Sequence, residues 1–464
     1  MELNLNATHA LASPTLKALT KGWGSSKEVS LYLDRCQVET PEVVIQAVWK
    51  QVFSRRSAIG KVVDFGAGDG RFARWGTYSS YTGYEVDRSR WSPLPLPSHA
   101  QLLSRCAFSE YIGDADLCIG NPPYVRNQDL PYGWRQRAAS ILRNRTGFEI
   151  SGLANGWQYF FLLSLLSAKP GGLIALVIPY EWVSRPSAIG VRDYIRKNGW
   201  NVSVYRLRDE AFSRVLTTSS ITIVDKAHDN SRWEYFQEAS EGLYVKLPSV
   251  TLGQVGLLAY SSRRGKKSVV SAKRGLSPGT QKLLTFSDRE RARLGLRTGT
   301  DVVPCVTTLK HLPYGVQNLG PREFDKHYLR MGKKCWLLNT TRSTSQRLRD
   351  YVEHVPSTEY ATSTCLSRDE WWKFRMPEVP DVLVSSGFVG DHTKAVVNSI
   401  RARAVGSVCG IYEVSQRRRA DIVDAIRNTK LSDRIVPHSN GLQKIEINQL
   451  NTLLQGIVST WMRR

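Results

Sequence analysis

Between Val62 and Val224 the chain repeatedly sets a short apolar run against a stretch of helical spacing, and this alternation limits the fold more than any other feature. Val62–Phe65, Tyr81–Val86, Asp114–Gly120, Leu173–Ile178, Val202–Leu207 and Ser219–Val224 read as strands. Val43–Phe53, Trp157–Ala168 and Ser187–Lys197 read as helices, with Lys169-Pro170-Gly171-Gly172 closing the second of them. Apolar strands separated by helices predict an α/β fold whose parallel-rich sheet is covered on both faces. Such sheets bind ligands beyond the carboxyl ends of their strands.

Three signals fall on that edge. The first is Asp64-Phe65-Gly66-Ala67-Gly68-Asp69-Gly70, a glycine turn between a strand and a helix start. Its GxGxG spacing departs from the GxGxxG of dinucleotide sites, and it lacks a Walker lysine. The second is Glu85, which closes the next strand, where an acid can accept both hydroxyls of a ribose. Together they predict an adenosine-containing ligand. Upstream, Thr40 reads as a helix cap, Pro41 as the first helical residue and Glu42 as a first-turn acid.

The third signal is Cys118-Ile119-Gly120-Asn121-Pro122-Pro123-Tyr124. Two prolines fix φ and remove two N–H groups, so the loop offers acceptors: the Asn121 amide oxygen and main-chain carbonyls. Tyr124 adds a flat face. The arrangement suits a planar ligand bearing NH2, whose conjugated lone pair is returned to nitrogen when both N–H bonds are held out of plane.

Length and charge bound the rest. The chain has 464 residues, enough for two domains, and 64 Lys plus Arg against 41 Asp plus Glu give a net charge of +23. That imbalance on an aromatic-rich, globular composition points to a polyanion, nucleic acid before membrane. No stretch approaches the roughly 20 apolar residues of a membrane span. Met1–Lys21 lacks a signal-peptide core, so a cytoplasmic location is expected. Seven scattered cysteines include no CxxC pair, so neither a disulfide frame nor a zinc site is expected.

The ordered motifs Asp64–Gly68, Glu85, Asn121–Tyr124, Lys169–Gly172 and Pro179-Tyr180-Glu181-Trp182 resemble those of S-adenosylmethionine-dependent amino methyltransferases. With Thr40-Pro41 ahead of the glycine turn, the chain resembles most closely the gamma-type N6-adenine DNA methyltransferases of restriction-modification systems. The resemblance covers about residues 30–230. It implies a Rossmann-like methyltransferase fold with a C-terminal, basic target-recognition domain. It also implies S-adenosylmethionine as cofactor, double-stranded DNA as partner, and a separate cognate restriction endonuclease. Carried over by position, Thr40, Asp64, Phe65, Gly66, Ala67, Gly68, Glu85, Pro123 and Phe160 would contact the cofactor. Asn121 and Pro122 would hold the target amine, with Tyr124 and Phe212 stacking on a flipped base. The family acid that accepts from the cofactor's adenine amine is missing. Ser104-Arg105-Cys106 stands there, leaving a main-chain carbonyl or Asp114 to substitute.

Residues 1–245 are therefore expected to form the methyltransferase domain and 246–464 the DNA target-recognition domain, with a mixed α/β or helical fold. In the latter, Ser261–Lys267, Lys273, Arg274, Trp371-Trp372-Lys373-Phe374-Arg375, Arg401, Arg403 and Arg417–Arg419 supply cations and aromatics. Basic surface neutralises phosphates, while few side chains read base edges. No nuclease constellation is apparent. The alternatives are cytosine N4 methylation, RNA guanine methylation, protein-glutamine methylation, and a DNA-binding module that has lost catalysis.

Overall fold

The computed structural model describes residues 38–247 and 269–461, apart from 110–112, 131, 209–210, 213–217, 342–344, 362, 433 and 436–441. Residues up to 247 belong to one compact unit and those from 269 to a second. The Ser261–Lys267 basic run lies outside the described residues.

The first unit is built on a nine-stranded sheet of order β3-β2-β1-β4-β5-β7-β6-β8-β9. Its strands are β1 (Lys61–Phe65), β2 (Ser80–Tyr84), β3 (Ala100–Leu103), β4 (Ala115–Gly120), β5 (Ala168–Pro179), β6 (Asn201–Arg206), β7 (Ser219–Asp225), β8 (Trp233–Ser240) and β9 (Leu243–Lys246). Strands β3, β2, β1, β4 and β5 are parallel, and β7 inserts antiparallel between β5 and β6. The order reverses between β1 and β4, which opens a crevice at their carboxyl ends.

Each central strand feeds both faces, as a period of two requires. Val62, Leu117, Ile119, Leu173, Ala175 and Val177 point into one core with Val44, Ile45, Val48, Trp49 and Val52 of helix α1 (Glu42–Phe53). The helix α2 (Tyr132–Thr146) precedes α3 (Gly156–Ser167), which packs on β4 and β5. Of the α3 residues only Phe160 and Leu166 escape full burial. A helix apolar all round belongs inside, so an incompletely covered Phe160 is notable. Helix α4 (Ile189–Lys197) follows.

Two local expectations change. Thr40 does not cap α1: Pro41, with φ −58° and ψ 144°, is the cap residue, and its carbonyl accepts from Val44 and Ile45 at 3.0 and 3.1 Å. The fixed proline φ with an extended ψ already sets the helix entry, which leaves the Thr40 hydroxyl for other work. Lys169–Gly172 is not a free turn either. Strand β5 begins at Ala168, opposite Ala115, and resumes ladder pairing at Leu173, opposite Leu117. The residues between form a bulge, with Gly171 at φ 77°.

The second unit is mixed α/β, with four-stranded sheets of order β10-β18-β14-β16 and β11-β13-β12-β17, and a β15-β19 pair. These strands are β10 (Ser271–Lys273), β11 (Thr285–Phe286), β12 (Val302–Val306), β13 (Trp336–Leu338), β14 (Val382–Ser385), β15 (Gly387–Val389), β16 (Ala395–Val397), β17 (Arg403–Ala404), β18 (Val408–Tyr412) and β19 (Leu442–Lys444). Helices α5 (Arg419–Asn428) and α6 (Ile447–Trp461) bury Ile422, Val423, Ile426, Leu450, Leu453 and Leu454 against Val382, Val384 and Ile411. Among the described residues no helix is long and apolar enough to cross a membrane.

The expected aromatic-basic surface is partly interior. Trp372 is 7% exposed in a core with Leu284, Phe286 and Leu338, and Trp371 stacks on Tyr360 with ring centroids 4.4 Å apart. Trp372 is buried and Trp371 and Phe374 are partly buried against the same core, while Lys373 between them and Arg375 after them are exposed. Several of the expected cations are engaged within the unit. Lys273 pairs with Glu378, Arg274 with Glu446 and Arg419 with Asp381, and Arg403 donates to the Pro377 carbonyl at 2.7 Å.

Candidate active site

The carboxyl ends of β1, β2 and β4 carry the three sequence signals. Gly66 and Ala67 N–H groups donate to the Tyr84 carbonyl at 2.9 and 3.0 Å, folding the glycine turn onto β2. Gly66 sits at φ 93°, and a Cβ there would lie 3.3 Å from Pro123 Cδ. Glycine is required twice over, for the left-handed backbone and for the approach of the proline loop.

Glu85 follows directly from β2 and turns back over this edge. Its Oε2 accepts from Gly68 N–H at 3.1 Å and its Oε1 from Asp87 N–H at 2.9 Å. Burial raises the Glu85 pKa, opposed by those two N–H donors. The carboxylate thus lies at the glycine turn, where ribose hydroxyls would meet it.

Asp64 behaves differently. It is fully buried, its Oδ2 accepts from the Tyr81 hydroxyl at 2.7 Å, and its Oδ1 has no partner. Burial pushes its carboxyl up to about 7, and Glu85 and Asp69 add to the rise. With no exposed surface, the Asp64 side chain offers no open face to a ligand here. Phe65 is buried beside it, with its ring 5.7 Å from that of Tyr84.

The Asn121–Tyr124 loop leaves β4 through Gly120, at φ 141°, where a Cβ would come within 2.2 Å of Asp64 Oδ1. The Asn121 Nδ2 donates to Thr40 Oγ1 at 3.0 Å, with the Val38 carbonyl at 3.5 Å. The Asn121 Oδ1 is buried and unpartnered, an acceptor held ready. Tyr124 donates its hydroxyl to the Val177 carbonyl at 3.0 Å, with Ser219 Oγ at 3.4 Å. That contact fixes the ring at the ends of β5 and β7.

Phe160 is part of an aromatic group that the sequence motifs did not disclose. Its ring lies 5.5 Å from Phe108 edge-on and 6.2 Å from Trp134 in a stacked pose. Phe108 comes from the β3–β4 connection and Trp134 from α2. No spacing rule joins such distant segments. Near them, Arg105 is exposed and Asp114 is out of reach. Asp114 stands before β4, at the sheet's amino edge, paired with Lys61 at 2.7 Å. The six-residue strand β4 separates it from Asn121, about 20 Å at strand rise, so Asp114 cannot replace the missing acid.

Phe212 is 6% exposed within the core that contains Val44 and Val48, and offers no open face here. Arg71, which no sequence motif marks, ties the Glu39-Thr40 segment to the glycine turn. It donates to the Thr40 carbonyl at 2.7 Å and pairs with Asp69 at 2.8 Å and Glu39 at 3.0 Å. Among the described residues no cluster of His, Cys, Asp or Glu could hold a metal.

A buried, unpartnered acceptor at the end of β4 and a carboxylate at the glycine turn, with a partly open ring at Phe160, stand on one sheet edge. Comparisons with known proteins place the chain among restriction-modification methylases. The model of the Eco57I restriction-modification methylase family matches residues 101–212. That of the C-terminal domain of the type II methyltransferase M.Eco57I matches residues 259–430. Between them the two cover more than half of the chain. The type II methyltransferase M.XamI of Xanthomonas campestris pv. amaranthicola is 26% identical over 40% of the chain and 38% of its own length. M.BanIII of Aneurinibacillus aneurinilyticus is 29% identical over 21% of the chain and 16% of its own length. These alignments thus span well under half of either relative. The fold is similar to the type IIL restriction-modification enzyme MmeI, solved in complex with DNA. That similarity has a TM-score of 0.51 at 11% identity, over 94% of this chain and 66% of that one.

Proposed function

For a chain that belongs with the restriction-modification methyltransferases, we propose site-specific methylation of duplex DNA at the exocyclic N6 amine of adenine, from S-adenosylmethionine. The observation that carries this reading is the buried, unpartnered Asn121 Oδ1 at the carboxyl edge of β4. A buried acceptor without a donor costs stability unless a ligand completes it.

The bound cofactor supplies an electrophilic methyl on a sulfonium. The residues at hand fit it: Glu85 to accept from the ribose, the Gly66–Gly68 turn to admit close approach, and Phe160 to cover the adenine with Phe108 and Trp134 behind. Pro123, against Gly66, closes the other side. In place of the family acid, a main-chain carbonyl near Leu103–Cys106 would accept from the cofactor's amine.

A base amine within a duplex is out of reach, so the target nucleotide must rotate out of the stack. The base then lies on Tyr124, whose ring is pinned through its hydroxyl. Asn121 Oδ1 and the Pro122 carbonyl accept its two N–H bonds and withdraw the lone pair from conjugation. With the cofactor bound, its methyl would be the electrophile, and Asn121 and Pro122 would hold the amine nitrogen with its lone pair free to accept it. The excess proton passes to water, so no strong base is needed. Positioning does most of the work. Phe212 is packed in the core and does not stack on the base. The second unit supplies DNA affinity and reads the site, its start lying past the Lys246 end of β9 rather than at the expected 246, and a cognate endonuclease is a separate chain.

Adenine is preferred over cytosine because the larger ring gains more from stacking on Tyr124, about 1–3 kcal/mol per base. The motif order, with Thr40-Pro41 first, points the same way. The test is to offer methyl-labelled S-adenosylmethionine with duplex DNA, tRNA or a glutamine-bearing protein. Label in DNA alone supports the proposal; label in RNA or protein alone refutes it.

A further inference from the structure

The Asn121 carboxamide can present either end to a substrate, and only one is useful. Its oxygen accepts from an amine, whereas its NH2 would face another donor. The choice therefore has to be made by groups behind the side chain.

Two oxygens stand there. Asn121 Nδ2 lies 3.0 Å from Thr40 Oγ1 and 3.5 Å from the Val38 carbonyl. A carbonyl cannot donate, so a flipped amide would set oxygen against oxygen. Thr40 is 3% exposed, and its hydroxyl is released from capping because Pro41 sets the helix entry. Its main chain is anchored as well. Arg71 donates to the Thr40 carbonyl at 2.7 Å and pairs with Asp69 of the glycine turn at 2.8 Å.

We propose that Thr40 is a positioning residue: its hydroxyl, which can donate or accept, anchors the Asn121 carboxamide beside the Val38 carbonyl. That carbonyl, which only accepts, sets which end meets the target amine. Through Arg71, Thr40 also links that orientation to the glycine turn. The inference rests on the methyl-transfer reading above and gives Thr40 a task distinct from the cofactor contact that the family resemblance implies. Replacing the hydroxyl removes the anchor and lets the amide turn. The loss then falls on the chemical step rather than on cofactor binding.

Thr40→Val keeps the side-chain shape and deletes the hydroxyl, and Thr40→Ser keeps it. Single-turnover methylation of duplex DNA at saturating S-adenosylmethionine should slow about 10- to 100-fold in Thr40→Val. Thr40→Ser should stay near wild type, and cofactor affinity by calorimetry should be nearly unchanged in both. A readout independent of turnover is the Asn121 side-chain NH2 in selectively labelled protein. One N–H should be protected from exchange in the wild type and Thr40→Ser, and exposed in Thr40→Val. An unchanged rate in Thr40→Val, a loss confined to cofactor affinity, or an unaltered Asn121 NH2 signal would overturn the proposal. A protected amide in a wild-type chain that transfers no methyl would sink the methyl-transfer reading, and with it the role assigned to Thr40.

Discussion

Glu85 Oε2 accepts the Gly68 main-chain N–H at 3.1 Å, joining the end of β2 to the turn after β1. One carboxylate thereby shapes the glycine turn and stands where a ribose would be held. Hydrogen bonds to a charged group are worth about 1.5–3 kcal/mol, so Glu85→Ala should weaken S-adenosylmethionine binding about 10- to 100-fold. Isothermal calorimetry checks this. Equal affinities in variant and wild type would remove Glu85 from the cofactor site.

Gly120 holds its place for a geometric reason. With φ 141° and a Cβ position 2.2 Å from Asp64 Oδ1, Gly120→Ala must strain the backbone and displace the carboxyl. A cost of about 1–3 kcal/mol in unfolding free energy is expected from the backbone alone. Methylation should fall further than stability, because the displaced residue precedes Asn121. Denaturant unfolding and a rate assay on one preparation measure both.

The buried Asp64 carboxyl carries a pH signature. Its folded-state pKa of about 7 stands above the ordinary 3.8, chiefly through burial. The folded state holds the proton more tightly, so this contribution is full below pH 3.8 and is lost as pH rises through 7. Each pH unit in that window is worth about 1.4 kcal/mol. Asp64→Asn, which stays neutral, should gain stability relative to the wild type as pH rises, then level off. Unfolding of the cofactor-free protein across that range measures the difference, and a constant difference would contradict it.

Trp372 and Arg375 separate packing from binding in the second unit. Trp372 is core, so Trp372→Ala should cost about 3–5 kcal/mol of stability. Arg375 is exposed, so Arg375→Ala should leave stability alone, weaken DNA binding and lower the salt slope by about one. Filter binding over a salt series reads the second effect. An unchanged slope would remove Arg375 from the DNA surface.

Much of the first unit was legible in the sequence because apolar runs ending in glycine or an acid mark strand ends. Lys61–Phe65, Ala115–Gly120 and Ser219–Asp225 lie within one residue of the apolar runs. What sequence did not disclose depends on distant pairing. Strand direction is not written in residue type, so the antiparallel β7 emerged only from its ladder with β5. The Gly171-Gly172 pair looks like a stop, yet the β4 ladder carries the strand past it. At the site, the glycine turn, Glu85 and Asn121 were visible as local motifs. Phe108, Trp134 and Arg71 were not, since each acts through a partner far along the chain. The Trp371–Arg375 cluster misled for a related reason: alternating aromatics and cations look alike in a core edge and on a binding face.

The central claim is that Asn121 makes a base amine reactive. The direct measurement is digestion of DNA to nucleosides after incubation with S-adenosylmethionine and either the wild-type chain or Asn121→Ala, with product identification by mass. The account predicts N6-methyladenine from the wild type and at least a tenfold smaller yield per unit time from the variant, a barrier rise above about 1.4 kcal/mol. DNA and cofactor affinities should be retained. Methylation by Asn121→Ala at near wild-type rate, or no methylated nucleoside from the wild type, would contradict it.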